Sequence, residues 1–278
     1  MVTEDAIDVS ERRQYKILEL TRAIMPFTFT HLDKKKFVVD EDSTIQALLR
    51  KWSLLGRVTC QAYAFDQPFE EYNLATLIKD FVGSPSVAAT LLVWRRELKE
   101  PLGKGSQLEE IEKIPCQLTS MEIFKRLYDT NVLREDGEII QCFEEYHEDL
   151  ILNDNLKKVL VQEEGEFWDV YSEEERNELL FHLFKLVVLG GECCQFEDNF
   201  HNYGIVTKAL YKDLISPQVV NGKVAVTSFA AKIRLRTARG LEVPEDPSKS
   251  QNVFLVVVNP HTRTVHTLLH QHGVGDMD

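Results

Sequence analysis

The sequence lacks long hydrophobic runs, has no excess of basic residues and contains few cysteines. Its longest apolar runs, residues 186–189 and 253–258, are far shorter than the roughly 20 residues that a membrane-spanning helix needs. The net charge of −13 opposes binding to nucleic acid and to anionic membrane surfaces. The acidic and polar start does not resemble a secretory signal. With five cysteines, an odd number, we expect reduced thiols in an intracellular protein.

The composition is that of a globular protein, with 44% hydrophobic and 28% charged residues. The length of 278 residues fits one large domain or two small ones. We expect an N-terminal extension with a helix over residues 1–26 and a single globular domain over residues 27–278. Segment 99–113 combines a proline and two glycines with many charges, so it is the best candidate for a mobile loop or an internal domain boundary.

Residues 172–189 are expected to form a buried helix on which the rest of the chain packs. Ser172 and Glu175 have the spacing of a capping box, in which each side chain bonds a backbone N–H at the helix start. In the apolar run that follows, only His182 and Lys185 are polar, so the helix must be enclosed by other elements. Two glycines then supply the conformation that ends it.

Apolar residues at helical spacing predict further helices at 43–55, 72–81, 119–128, 139–146, 155–161 and 205–214. Trp52 belongs to the apolar face of the first of these and is expected in the core. Thr119 and Glu122 repeat the capping-box spacing. Residues 87–94 fit either a helix or a buried strand, and we favour a strand over 90–94.

Strand patterns concentrate towards the C-terminal end of the sequence. Asn221-Gly222 predicts a tight hairpin turn, because both turn positions must accept a positive φ. The strand that follows to Arg236 shifts its apolar phase near Ser228, which indicates a bulge or bend. A charged, proline-containing loop over 239–251 precedes a second hairpin. Other strands are predicted at the following positions: 27–30, 37–39, 57–65, 253–258 and 264–269.

These elements predict an α+β fold. Its helical middle surrounds the buried helix at 172–189, and its antiparallel sheet is built largely from C-terminal strands within 219–270 plus short N-terminal strands.

Six stretches of sequence resemble one family. They are RKWSLLGRV (50–58), AYAFDQPF (62–69), IPCQLTSMEIFKRLYD (114–129), LFHLFKLVVLGGECCQFED (180–198), LYKDL (210–214) and HGVGDM (272–277). In order and spacing they are similar to the cilia- and flagella-associated protein 300 family, over most of the chain from about residue 27. The first 25 or so residues, the loop at 99–112 and His272 depart from the family pattern.

The resemblance implies a noncatalytic protein of motile cilia, cytoplasmic and ciliary, that helps to assemble or deliver outer and inner dynein arms. The implied partners are the PIH-domain cochaperone kintoun and similar assembly factors, axonemal dynein subunits and the intraflagellar transport machinery. It implies no cofactor and transfers no site residue. We therefore assign no catalytic, cofactor-binding or metal-binding residue.

Two cysteines and three histidines are candidates for a catalytic or metal-binding role. Cys193 and Cys194 follow a helix end among acidic residues, which raise a thiol pKa, so inert packing is favoured over a nucleophile. The alternative is a cysteine-dependent enzyme that pairs one of them with a C-terminal histidine such as His266. His266, His270 and His272 could share one strand face, but side chains two apart are nearly 7 Å apart, so structural or surface roles are favoured over a metal site.

The tail and the acidic runs are candidates for partner contacts. The two tail glycines lack the lysine and helix of a phosphate loop, so we favour a tight turn or a partner-binding tip. The acidic runs at 163–166 and 192–198 are typical of solvated faces or caps, or of docking patches for basic partners. The predicted partner-binding residues are Glu197, Asp198, Gly273, Gly275, Asp276 and Met277.

Overall fold

The computed structural model describes residues 25–95, 98–148, 150–192, 196–246 and 248–274. The strands within these ranges are β1 Phe29–His31, β2 Thr59–Phe65, β3 Leu92–Arg95, β4 Leu98–Pro101, β5 Gln107–Ile114, β6 Gln141–His147, β7 Leu150–Asp154, β8 Pro217–Val220, β9 Lys223–Val226, β10 Phe229–Arg236, β11 Glu242–Val243, β12 Val253–Asn259 and β13 Thr264–His270. The α-helices are α1 Val38–Glu41, α2 Ser43–Lys51, α3 Leu74–Gly83, α4 Pro85–Thr90, α5 Arg126–Asp129, α6 Asn155–Val161, α7 Glu173–Arg176, α8 Leu179–Leu189 and α9 Phe200–Leu214.

The predicted α+β fold is confirmed by a main antiparallel sheet with helices packed on it. The sheet runs in the order β1-β2-β13-β12-β10-β11, and β5 also pairs with β10. The N-terminal strand β2 therefore lies directly beside the C-terminal strand β13. Three separate hairpins, β3-β4, β6-β7 and β8-β9, complete the strands of the described ranges.

Both faces of the main sheet are covered, as β12 shows most clearly because all seven of its residues are buried. Val253, Leu255 and Val257 point into the larger core with α8 and α9. The alternate residues Phe254 and Val256 belong to a second core with α3. A strand that is covered on both faces has a continuous run of apolar residues in its sequence, and β12 shows this pattern.

The buried helix is confirmed, but it starts later than predicted. The capping box of Ser172 and Glu175 is present at the start of α7. A continuous helix would bond the N–H of Leu179 to the carbonyl of Glu175, yet this N–H donates to Pro115 at 2.9 Å instead. The chain therefore breaks into the exposed acidic turn α7 and the buried helix α8, in which only His182 and Lys185 are not fully buried.

One strand prediction and one helix prediction are wrong. Residues 37–39 were expected as a strand, but α1 forms there, and its first N–H, from Val38, is bound by the carboxylate of Asp213. Residues 139–146 were expected as a helix, but they contribute β6 of a hairpin. Phe143 and Tyr146 of that hairpin are 94% and 80% exposed, so these two aromatic residues do not pack in the core.

The segment at 99–113 is not a loop, since it supplies β4 and β5, and β5 pairs with nearly all of β10. Its glycines form the turn between the two strands. The domain boundary suggested there stays a prediction. The capping box at Thr119 and Glu122 is also absent: Met121 precedes a 3-10 turn, Glu122–Lys125, with no side-chain cap.

The remaining predictions agree with the structure in type and differ at the ends. Residues 43–51, 74–83 and 155–161 are helical, and the last predicted helix begins earlier, at Phe200. Residues 92–95 form the favoured strand, preceded by α4.

The two C-terminal hairpins are present as predicted. The predicted bend near Ser228 separates β9 from β10, and the hydroxyl of Ser228 donates to Asn259 at 2.5 Å and accepts from the Ser216 N–H at 2.7 Å. The predicted first helix lies outside the described residues. Within the described ranges, no helix combines the length and apolar character needed to cross a membrane.

Candidate interaction site at the tail junction

Three of the stretches that carry the resemblance meet at one place. The loop 52–57 after α2 forms hydrogen bonds both to residues 190–192 after α8 and to residues 272–274 after β13. We call these three segments the tail junction. Their meeting follows from the fold, because α2, α8 and β13 all pack on the larger core and end close together.

Gly190 and Gly191 let α8 end against the loop after α2. Gly190 has φ +64°, a conformation that other residues adopt only at a cost. The N–H of Gly191 donates to the carbonyl of Trp52 at 2.8 Å. A Cβ atom on Gly191 would lie 2.2 Å from the carbonyl oxygen of Ser53, so the contact requires glycine.

Arg57 ties the tail to this loop. Its Nε donates to the carbonyl of Val274 at 2.8 Å, and its Nη1 donates to the carbonyl and hydroxyl oxygens of Ser53 at 3.2 and 3.0 Å. Arg57 and Val274 are both buried. Because a buried guanidinium needs acceptors for its donors, these bonds fix the direction in which the chain leaves the junction.

Two further residues hold the start of the tail. Gln251 donates to the carbonyl of Gly190 at 3.1 Å, and its own carbonyl accepts from Nδ1 of His270 at 2.8 Å. The N–H of His272 donates to Asn252 at 2.6 Å. The tail is therefore anchored on both sides of Gly273, which has φ +72° and lies beside Glu192.

Glu197, a predicted partner-binding residue, is buried and bound internally. Its carboxylate accepts from Lys51 at 3.0 Å and from the N–H of Asp198 at 3.1 Å. Burial alone would raise the pKa of Glu197, but hydrogen bonds from Lys51, Asn202 and Asn199 lower it below the ordinary value. Glu197 thus connects the chain after α8 to the end of α2.

The exposed part of this region is acidic and apolar. The side chains of Glu192 and Asp198 are exposed, and Phe196 is 54% exposed. The backbone of Asp198 is fixed, because its carbonyl accepts from the N–H of Ile139 at 2.8 Å. Gly273 is exposed as well. Asp198 and Gly273 are therefore the predicted partner-binding residues that the structure places at the surface.

The other predicted site residues lie outside the described residues. These are Gly275, Asp276 and Met277, together with the candidate cysteines Cys193 and Cys194. In the sequence they follow directly after Glu192 and directly after Val274.

His266 and His270 have structural roles. Both lie on the same face of β13 and are buried. Nδ1 of His266 donates to the carbonyl of Leu214 at 3.1 Å, as Nδ1 of His270 does to Gln251. Burial lowers the pKa of each to about 4, so both are neutral near pH 7. In the part of the chain that the structure describes, no three His, Cys, Asp or Glu side chains are grouped as metal ligands.

Sequence reasoning missed Arg57 and Ser53. Arg57 is an ordinary residue between a glycine and a strand in the sequence, and its partners are four and 217 positions away. Only its place inside one of the six family-like stretches could have drawn attention to it.

The geometry defines an α+β protein whose C-terminal segment is fixed by buried polar contacts at a surface junction. The model of the family described as cilia- and flagella-associated protein 300 matches residues 26–270. The chain therefore belongs to this family, and the resemblance noted from the sequence is confirmed. Membership associates it with cilia and flagella.

Two relatives that carry the same family name illustrate the match. The chain is 33% identical to a Paramecium tetraurelia protein over 244 residues, which cover 87% of this chain and 90% of the relative. It is 31% identical to a Chlamydomonas reinhardtii protein over 239 residues, which cover 82% of this chain and 91% of the relative. No solved structure matches the chain significantly. These names give no support to the alternative of a cysteine-dependent enzyme.

Proposed function

We propose that this chain is a noncatalytic adaptor for the assembly or intraflagellar transport of outer and inner axonemal dynein arms, acting in the cytoplasm and the cilium. Family membership supports the ciliary setting. The observation that carries the proposal is the tail junction. There, the buried hydrogen bonds of Arg57 fix the direction of the tail, and they do not shape a reactive centre.

The surface at the junction suits a basic partner segment with an apolar residue. Glu192 and Asp198 supply exposed negative charge, and Asp276 extends it along the chain. Phe196 offers an exposed aromatic ring. A negative surface steers and selects positively charged partners, and an aromatic anchor adds apolar burial.

The proposed partners are kintoun-type PIH cochaperones, axonemal dynein subunits and the intraflagellar transport machinery. Asp198, Gly273, Gly275, Asp276 and Met277 would make the contact. Glu197 would contribute by holding Asp198 in place through its own internal bonds.

The proposal is tested by pull-down from ciliating cells with identification of the captured proteins by mass spectrometry. The double variant Asp276→Lys with Met277→Ala keeps the Val274 carbonyl that Arg57 binds, so it changes the tail without removing its anchor. Asp198→Lys tests the other acidic position. Asp33→Lys, which reverses an exposed charge on the turn after β1, is the matched control.

We expect the wild type and the Asp33→Lys protein to capture dynein chains, assembly factors or transport subunits. The tail variant and Asp198→Lys should capture several-fold less while giving the same circular dichroism spectrum as the wild type. Capture of none of these proteins by the folded wild type would overturn the adaptor proposal. Equal capture by all variants would place the contact elsewhere on the surface.

A further inference from the structure

A pocket between the buried helix and the main sheet is cationic, although the chain as a whole carries a charge of −13. The cavity has a volume of about 290 Å³. Arg176, His182, Lys185, Lys232 and Lys249 contribute to its lining, and no Asp or Glu does among the described lining residues. We call it the cationic pocket. It is formed by residues distinct from those of the tail junction.

The three lysines, the arginine and the histidine of this lining come from four parts of the fold. Arg176 ends α7, His182 and Lys185 lie one turn apart on α8, and Lys232 is on β10. Lys249 belongs to the loop before β12. Ser250 of the same loop and Asn177, the residue after α7, add neutral donors, whereas the side-chain donors of the lining residues Ser248 and Asn252 bond Asp246 and Glu245. Side chains from separate elements thus converge on one small volume.

The described partners of Arg176, Lys185 and Lys232 leave much of the charge of these three side chains unneutralised. Arg176 donates to the carbonyls of Val159 and Trp168 at 2.9 and 2.5 Å and stacks on the Trp168 ring at 3.6 Å, but backbone carbonyls carry no net charge. Lys232 is 3.7 Å from Glu112. Among the described residues, Lys185 forms neither a hydrogen bond nor an ion pair, and Nε2 of His182 and Nε of Arg176 are buried without a partner.

Without a bound anion, the clustered cations of the pocket destabilise the folded protein. Burial, reinforced by the charges of Lys232 and Arg176, lowers the pKa of Lys185 to about 8, although Glu163 and Glu148 act in the opposite direction. Burial and the same lysines lower the pKa of His182 to about 4. An enclosed cation without a counter-charge is destabilising, and an anion between these groups would offset that cost.

We propose that the cationic pocket binds a phosphate monoester. The planar fork of arginine and the point charge of lysine both suit phosphate oxygens, and the Ser250 hydroxyl and the Asn177 amide add neutral donors. Neutral His182 can donate one further hydrogen bond from Nε2. The volume lies at the small end of ligand sites, so it admits the phosphate group and little of what carries it.

The first experiment measures thermal unfolding of the full chain at constant ionic strength with inorganic phosphate as the probe. A ligand that binds only the folded state raises the melting temperature in a saturable way. We expect this rise in the wild type. Lys185→Met should weaken phosphate binding by roughly tenfold or more, since charge-assisted bonds contribute most of the affinity. Lys185→Arg should keep it.

Lys79→Met, which removes an exposed lysine from α3 on the second core, is the matched control and should bind phosphate as the wild type does. The variant Lys185→Met should fold, because methionine replaces a half-buried cation by an apolar chain of similar length. A second readout is the pKa of Lys185 followed by NMR, which bound phosphate should raise.

Two probes then distinguish the sources of a phosphate monoester. Glycerol phosphate represents a small metabolite, and a blocked phosphoserine amide represents a phosphorylated protein residue. Tighter binding of either one supports the pocket as a phosphate monoester site and assigns its source. No saturable effect of any phosphate probe, or an equal effect in Lys185→Met, would overturn the proposal.

Discussion

His270 is a titratable side chain with no exposed surface, at the end of β13 beside the tail junction. Its Nδ1 donates to Gln251, so any further proton must go to Nε2, which is buried and has no partner among the described residues. Protonation would therefore create a buried charge with no acceptor. This explains why the pKa of His270 is lowered to about 4.

The lowered pKa predicts acid sensitivity. The pKa in the unfolded chain is about 6.5, so the unfolded state binds more protons than the folded state between pH 6.5 and pH 4. The stability contributed by neutral His270 is present above pH 6.5 and is lost as the pH falls towards 4. From pH 7 to pH 5 the loss should be about 2 kcal/mol.

This is measured by urea denaturation of the wild type and His270→Asn at both pH values. The asparagine amide can keep the bond to Gln251 but does not titrate, so the free energy of unfolding of the variant should fall less between pH 7 and pH 5. An identical fall in both proteins would show that His270 titrates normally in the folded state.

For single residues, the sequence predicts which side chains are buried better than it predicts which other side chains they lie beside. The apolar spacing placed Trp52 in the core, where it is fully buried. It also marked His182 and Lys185 as the polar interruptions of an apolar helix. It could not show that they share a cavity with Lys232, because that residue comes from a strand whose position depends on the whole sheet.

Among the elements, the end of α8 and the loop after α2 are in close backbone contact at the tail junction. Gly191 permits this approach, since a Cβ atom there would meet the backbone of Ser53 at 2.2 Å. Two segments packed at such a distance cannot accommodate an added methyl group unless one of them moves away from the other.

Gly191→Ala should therefore destabilise the protein by roughly 2 to 4 kcal/mol, because the end of α8 must move away from Ser53. Gly83→Ala is the matched control, since nothing lies within 4 Å of its added Cβ atom and the residue ends α3 without a positive φ. The midpoint of thermal unfolding measures both. Similar midpoints for the two variants would contradict the tight contact.

The helix predictions at 43–55 and 72–81 succeeded because an apolar face is covered, and the helix prediction at 139–146 failed where aromatic residues are exposed. The spacing in α2 and α3 correctly identified helices whose apolar faces pack inward. Phe143 and Tyr146 gave a similar signal, yet both are exposed on the β6-β7 hairpin. Periodicity assumes that apolar residues seek the core, so it misleads when a hairpin displays them to solvent.

For the whole molecule, the sheet order supports one domain rather than two in sequence. β2 pairs with β13, and β5 pairs with β10, so strands from both halves of the chain share hydrogen bonds. We propose that residues 27–278 form a single unit with no boundary at 99–113. Local composition suggested a loop there because charged residues and glycines lie beside β5, whose partner strand β10 is distant in the sequence.

Cleavage at the turn between β4 and β5 tests this arrangement. A specific protease site inserted after the exposed Lys104 should be cut with little effect on the fold, and the two pieces should elute together in size-exclusion chromatography at the volume of the uncut protein. The uncut protein with the same insertion is the control. Separation of the pieces into folded halves would establish a boundary at this position.

The place of β13 in the interior of the sheet also sets the order in which the protein can be made. The hydroxyl of Thr267 on β13 bonds the carbonyl of Gln61 on β2, 206 positions earlier in the chain. During synthesis, one edge of β2 stays unpaired until β13 has been translated. Strand pairs that are distant in the sequence also form slowly. An unpaired edge is prone to aggregation, so the nascent chain needs protection for most of its translation.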